Sequence, residues 1–71
     1  MSLGENIRAL RIKNGLTQKE LSEAVSVNRV NLAHYESGAK TPSVSVLTEI
    51  ADFLDCSIDG LLDRKNFIRK E

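Results

Sequence analysis

Apolar residues recur along this chain every three or four positions, as they do on the buried face of an α-helix. The spacing occurs in Ile7 and Leu10, in Leu21 and Val25, and in Leu47, Ile50, Ala51 and Leu54. No segment alternates apolar and polar residues as a half-buried strand would. The pattern therefore predicts an all-α fold.

Start and stop signals divide this pattern into five short helices. We expect them at residues 3–14, 18–25, 28–37 and 43–54, with a fifth that is capped by Ser57. Gly15 and Gly38 can take the left-handed conformation that ends a helix. Thr17 and Glu20 form a capping box, and Asn28 and Ser43 are good N-caps. The helices should be short and sharply bounded.

The connection between the second and third helices is the most informative feature of the chain. Only residues 26–28 separate the two helices, so they must cross at a steep angle. The crossing would be locked by a shared set of apolar side chains: Leu21, Val25, Val27, Leu32 and Tyr35. This is the pattern of a helix-turn-helix, although such turns also join helices that bind nothing.

Length and cysteine content narrow the class of protein. The chain has 71 residues, which predicts one domain, 1–63, followed by a basic tail, 64–71. Cys56 is the one cysteine, so a disulfide within the chain is excluded, no cysteine-based metal site is expected, and a reducing cytoplasmic location is predicted. No apolar run approaches the roughly 18 residues of a membrane span, so we expect no membrane association. We also expect no cofactor.

Net charge argues at first against a nucleic-acid partner, because ten basic residues balance ten acidic ones. The charges are unevenly distributed, however. Residues 1–40 carry six basic and four acidic side chains. Residues 41–63 carry five acidic side chains and no basic one, and residues 64–71 carry four basic side chains and one acidic one. The acidic block and the basic parts can face different ways, which leaves a locally positive surface.

The order of several motifs resembles a known family. The match covers residues 3–63, and the segments that carry it are IRALRIKNGLTQKELSEAVSVN, LAHYESGAKTPSVSVLTEIADFL and SIDGLL. They are similar to the helix-turn-helix domain of lambda-type repressors, Cro proteins and other small bacterial and phage (XRE-like) regulators. The resemblance implies a compact five-helix bundle that binds double-stranded DNA, with helix 28–37 in the major groove.

Two positions depart from the family's usual pattern. Ser26 and Asp55 stand where such proteins usually have glycine. If Ser26 keeps the positive φ of a glycine, the cost is about 1 kcal/mol. The alternative is a slightly different turn, which would rotate the recognition helix, that is, helix 28–37.

The resemblance also implies which residues meet the DNA. The predicted base contacts are Asn28, Arg29, Val30, Asn31, Ala33 and His34. A helix that enters a groove about 12 Å wide needs small side chains on its outward face, and a helical wheel places Val30, Ala33 and His34 there. Arg29 can pair with guanine, asparagine with adenine, and the apolar side chains with thymine methyl groups.

Each base contact has a plainer alternative. Arg29 could be a solvated charge, Asn28 only a helix cap, and the apolar residues tolerated surface positions. His34 has no second His or Cys at ligand spacing, so we do not expect it to bind a metal.

Phosphate contacts are predicted at Gln18, Lys19, Ser37, Lys40 and Thr41, with ordinary exposed side chains as the alternative. Arg11 and Glu36 are expected to pair across the first and third helices, as is common in the family. That role is structural. Cys56 and Tyr35 are expected in the core.

The predicted function is a transcriptional regulator, in particular a repressor that occupies its operator as a homodimer. Phe67 and Ile68 are the predicted dimer contact, unless they cover the bundle instead. The alternative is an interaction module of the same fold that binds another regulator. An enzyme is not expected, because the sequence offers no nucleophile with a nearby base and no Gly-rich phosphate loop, and no small-molecule substrate is evident.

Overall fold

The computed structural model describes residues 2–62. It contains the helices α1 (Leu3–Lys13), α2 (Gln18–Ala24), α3 (Arg29–Ser37), α4 (Val44–Phe53) and α5 (Ile58–Leu62). All five predicted helices are confirmed, and every regular element in this part of the chain is helical. The helices α1, α2 and α4 each end one residue earlier than expected, because the last expected residue is the C-cap.

Side-chain caps begin every helix. Thr17 Oγ1 accepts from the N–H of Glu20 at 3.1 Å, and Glu20 Oε1 accepts from the N–H of Thr17 at 2.8 Å, which confirms the capping box. Ser43 Oγ accepts from Val46 and Ser57 Oγ accepts from Gly60 in the same manner. A cap of this kind stabilises a helix by about 1 kcal/mol, so these short helices depend on their first residues.

Three of the helices end in one and the same motif. The residue after each C-cap is left-handed, with φ of 73° at Gly15, 58° at Ser26 and 57° at Asp55. The next N–H donates back to a carbonyl five residues earlier, as from Val27 to Ser22 at 3.1 Å. Ser26 therefore keeps the conformation that glycine prefers, and so does Asp55.

The core lies where the helices meet, with α3 packed against α1 and α2, and α5 against α1 and α4. Its buried apolar residues are Ile7, Leu10, Leu21, Val25, Leu32, Leu47, Ile50, Ala51, Leu54 and Leu61. The buried Asn6 donates from Nδ2 to the carbonyl of Leu61 at 2.6 Å, which ties α1 to α5. Tyr35 and Cys56 are half-buried and pack at the edge of this core.

One glycine sets the distance between α1 and α3. A Cβ at Gly4 would lie 2.5 Å from the carbonyl oxygen of Glu36 and would also collide with that of Tyr35. Because both neighbours are backbone atoms, no side-chain rearrangement could make room. Gly4 therefore lets the end of α3 rest directly on the start of α1.

Candidate nucleic-acid interface

Apolar contacts hold α3 against α2 at the predicted steep turn. Leu21, Val25 and Leu32 are at most 1% exposed, and Val27 and Tyr35 pack beside them. Burying three such side chains stabilises the crossing by several kcal/mol, at about 1.5–3 kcal/mol each. The orientation of α3 is therefore fixed by its inner face, and its outer face is left for other contacts.

A buried ion pair fixes the other end of α3. Arg11 Nε donates to Glu36 Oε2 at 2.7 Å, and Arg11 Nη2 donates to Glu36 Oε1 at 3.1 Å. Arg11 Nη1 donates to the carbonyl of Leu16 at 2.8 Å. The structure thus contains the pair expected from the sequence, in the two-pronged geometry that suits a guanidinium and a carboxylate.

Gln18 joins this pair, which the sequence did not reveal. Its Nε2 donates to Glu36 Oε1 at 3.1 Å, and its side chain is half-buried at the start of α2. A primary amide nitrogen carries two hydrogens, so Nε2 keeps a second donor for another acceptor. The carboxylate of Glu36 therefore holds the predicted phosphate contact Gln18 beside the last turn of α3.

The first turn of α3 presents a mixed polar and apolar surface. Asn28 Oδ1 accepts from the N–H of Asn31 at 2.7 Å, so Asn28 is the expected N-cap. Arg29 and Val30 are exposed, and Val30 keeps 60% of its surface although it is apolar. The cap uses Asn28 Oδ1, and the hydrogens of Nδ2 take no part in it.

The second turn of α3 is less open than a helical wheel predicts. Ala33 and His34, which the wheel places outward, are half-buried, and so is Asn31 in the turn before them. Lys40, in the loop after α3, donates from its backbone N–H to the carbonyl of His34 at 3.2 Å. The loop therefore folds back beside this turn, which a wheel drawn for α3 alone cannot include.

The loop after α3 is ordered by short-range hydrogen bonds. Gly38 closes the helix with φ of 87°, and Ser37 Oγ accepts from the N–H of Ala39 at 3.3 Å. Lys40 Nζ lies 3.4 Å from Asn31 Oδ1. The predicted phosphate contacts Lys19, Ser37, Lys40 and Thr41 are all exposed. The structure thus leaves them accessible and brings Lys40 next to a predicted base contact.

Charge is divided between the two halves of the described chain. Residues 2–40 carry six basic and four acidic side chains, whereas residues 41–62, which include α4 and α5, carry four acidic and no basic ones. Arg11 and Glu36 neutralise each other inside the fold. The half that contains α3 is therefore the more positive one.

A separate cavity lies between the end of α1 and the end of α4. Its volume is about 270 Å³, and it is lined by Leu10, Lys13, Asn14, Leu54, Asp55 and Cys56. Burial raises the pKa of the Cys56 thiol, and the neighbouring Asp55 carboxylate raises it further. The thiol is therefore protonated at neutral pH, which does not favour a reactive cysteine.

Residues 2–62 hold neither a metal-ligand cluster nor a membrane-spanning helix. No three His, Cys, Asp or Glu side chains come together there as metal ligands would. None of the helices in that range is long and apolar enough to cross a membrane.

Comparison with known proteins supplies the family. The model of the helix-turn-helix family (HTH_3) matches residues 7–61, which include the whole α2–α3 unit. The chain belongs to this family. The same helix-turn-helix domain is found in the HTH-type transcriptional regulator ImmR of Bacillus subtilis, which is 33% identical over 70 residues, or 99% of this chain and 55% of ImmR.

Solved structures share the fold of this helix-turn-helix domain. The P22 c2 repressor in complex with synthetic operator 9T has a TM-score of 0.85 at 33% identity, covering 89% of this chain and 96% of that one. The SinR protein/SinI protein complex gives 0.84 at 30% identity, covering 97% of this chain and 68% of that one. The chain spans about half the length of these curated relatives, ImmR and the immunity repressor protein of Bacillus phage phi105.

The predicted dimer contact follows α5 in the sequence. Phe67 and Ile68 lie outside the described residues. Leu62, the last described residue, is 53% exposed, and Phe53 at the end of α4 is 49% exposed.

Proposed function

We propose that this helix-turn-helix domain binds double-stranded DNA in a sequence-specific manner and regulates transcription, as a repressor that occupies its operator. The observation that carries the proposal is the division of α3 into two faces. Its inner face is locked by Leu32 and by the Arg11–Glu36 pair, while Arg29 and Val30 at its start are exposed. Insertion into a major groove requires a helix whose inner face is packed rigidly against the domain and whose exposed side chains can contact base edges.

The exposed first turn supplies the proposed base readout. Arg29 can donate to O6 and N7 of a guanine, which is the commonest specific contact in protein–DNA complexes. Val30 can pack against a thymine methyl group, which would explain an exposed valine where solvent alone favours a polar residue. Each good base contact discriminates by about 1–3 kcal/mol.

Phosphate contacts would fix the helix in its groove. Gln18 is held by Glu36 and keeps an amide hydrogen for a phosphate oxygen. Lys19 on α2, Ser37 at the end of α3 and Thr41 in the loop that follows are also exposed. Each can donate a hydrogen bond to the phosphate backbone of the DNA. Such contacts position the protein and carry little base information.

The proposed active species is a homodimer on an inverted repeat. A single module of this size buries only about 600–1,000 Å² of its surface on DNA, which is little for selective binding. Two copies would read half-sites one helical turn, or about 10 base pairs, apart. Phe67 and Ile68 stay the predicted dimer contact, and the cytoplasmic location stays a prediction.

Relatives and neighbours support a regulator rather than an enzyme. The P22 c2 protein is a repressor and is bound to an operator, and ImmR is a transcriptional regulator. SinR, in contrast, is found in complex with the SinI protein, so a chain of this fold can also bind a protein. That neighbour and the zero net charge favour the second candidate function, an interaction module for another regulator.

Selection from a pool of random duplexes at two salt concentrations separates the two functions. We expect an enriched inverted repeat whose binding weakens with salt, with a log–log slope near −0.9 for each neutralised phosphate. Arg29→Ala should lose the preference for guanine at one position of each half-site. Lys13→Ala, which removes a charge from the end of α1, is the matched control and should select the same repeat. Failure to enrich any sequence at low salt would favour the protein-binding alternative.

A further inference from the structure

Lys40 lies beside the recognition helix although it belongs to the loop that follows it. Its backbone N–H donates to the carbonyl of His34 at 3.2 Å, and its Nζ lies 3.4 Å from Asn31 Oδ1. Residues 31 and 34 share one side of α3, because they are three positions apart. The Lys40 side chain therefore runs back along α3 towards the turn that carries the proposed base contacts.

We propose that Lys40 and Asn31 read a base together, and that the base is guanine. The inference rests on the proposed function, since it names one base preference of the DNA that α3 would bind. It makes Lys40 a specificity-determining residue outside the recognition helix. The sequence had suggested only a phosphate contact for this lysine.

The chemistry of the pair disfavours the base that asparagine reads best. Alone, an asparagine suits adenine, because Nδ2 donates to N7 and Oδ1 accepts from the N6 amine. An ammonium group has donors only, so the Asn31 atom that faces Lys40 Nζ must be the oxygen. A second lone pair of Oδ1 is left, but an amine donating to it would bring its hydrogens close to the Lys40 ammonium.

Guanine fits the same pair without that conflict. Its major-groove edge offers acceptors at both N7 and O6 and no donor. Asn31 Nδ2 can donate to one acceptor and Lys40 Nζ to the other, while the contact between Lys40 and Asn31 is kept. The positive charge then lies next to two partly negative atoms. The pair is thus complementary to guanine and mismatched to adenine at the same position.

The test compares the duplexes selected by four chains. Asn31→Ala identifies the base pair that Asn31 contacts, because preference at that position is lost. Lys40→Met removes the ammonium but keeps an unbranched side chain, so Asn31 Oδ1 can again accept from the N6 amine of adenine. Lys19→Met removes one exposed charge from α2 and is the matched control. Circular dichroism checks that each variant is folded. We expect the two lysine variants to fold, because both lysines are exposed.

We expect guanine at the Asn31 position for the unmodified chain and for Lys19→Met. Lys40→Met should shift the preference at that position from guanine towards adenine by about tenfold, the size of one good base contact. If Lys40→Met keeps guanine and weakens all sequences equally, as Lys19→Met should, the inference is wrong and Lys40 is a phosphate contact. The inference is also wrong if Asn31→Ala changes the preference at no position. A pool in which the unmodified chain enriches nothing would refute the proposed function itself.

Discussion

Replacing Arg11 by methionine tests whether the buried ion pair holds the recognition helix in place. Arg11 is 9% exposed and donates to both carboxylate oxygens of Glu36 and to the carbonyl of Leu16. Methionine fills a similar volume but donates nothing. The Glu36 carboxylate, whose side chain is 3% exposed, would keep only the hydrogen bond from Gln18.

The cost follows from the charge that is left behind. Removing one partner of a buried ion pair destabilises a protein by about 3–5 kcal/mol, because the other charge stays buried without compensation. A small domain has a total unfolding free energy of about 5 kcal/mol or little more. Since the slope for urea is about 1 kcal/mol per molar in so small a protein, the unfolding midpoint should fall by about 3 M or more.

Urea unfolding followed by circular dichroism measures this midpoint. Arg8→Met is the matched control, because Arg8 lies on the same helix and is exposed. We expect it to change the unfolding free energy by less than about 0.5 kcal/mol. The double variant Arg11→Met/Glu36→Leu removes both charges and should recover most of the stability, since an apolar pair of similar volume often replaces a buried ion pair without loss.

Two results would refute this reasoning. One is an Arg11→Met midpoint that lies close to that of Arg8→Met, which would mean that the pair behaves like an exposed one. The other is a double variant that is as unstable as Arg11→Met, which would mean that packing and not charge determines the cost.

Three further predictions concern the backbone and the cysteine. Ser26→Gly should stabilise the domain by about 0.5–1 kcal/mol and raise its Tm by about 3–6 °C, because φ at this residue is 58°. Gly4→Ala should cost about 2 kcal/mol or more in urea unfolding, since the new Cβ meets backbone of α3. Alkylation of Cys56 should reach its maximal rate at a higher pH in the folded chain than in the urea-unfolded chain, because burial and Asp55 raise the pKa of the thiol and only the thiolate reacts.

Each of these has a control or an opposing result. Ser45→Gly changes the same residue type at an exposed helical position of α4 and should lower the Tm instead. Equal melting of Ser26→Gly and the unmodified chain would show that Ser26 is not strained. For Gly4→Ala, unchanged stability would mean that α1 and α3 can separate at no cost. For Cys56, identical pH profiles in the two states would contradict the raised pKa.

Local structure was predictable because its causes are local. The Thr17–Glu20 capping box and the caps at Asn28 and Ser43 depend on residues three positions apart, and all are found in the structure. The left-handed conformation at Ser26 was one of two alternatives suggested by the glycine usually found there in the family, and the structure has that one. Three helices end one residue before their approximate predicted ends, because a C-cap residue shares the sequence pattern of the helix.

Contacts between distant side chains were beyond the sequence. The Gln18–Glu36 and Lys40–Asn31 hydrogen bonds depend on how α2 crosses α3 and on how the next loop folds back. The Arg11–Glu36 pair was anticipated only because the family commonly contains it. No periodicity shows that Gly4 lies against α3, since that requires the packing distance of two helices far apart in sequence.

The most direct test of DNA binding through α3 is an amide chemical-shift map, recorded by nuclear magnetic resonance as a selected duplex is added. We predict that the largest changes fall on residues 28–34, with a second group at residues 17–19 and 38–41. The acidic α4 and α5 should be nearly unaffected. Changes confined to α4 and α5, with α3 unperturbed, would contradict DNA binding through α3 and identify a different binding surface.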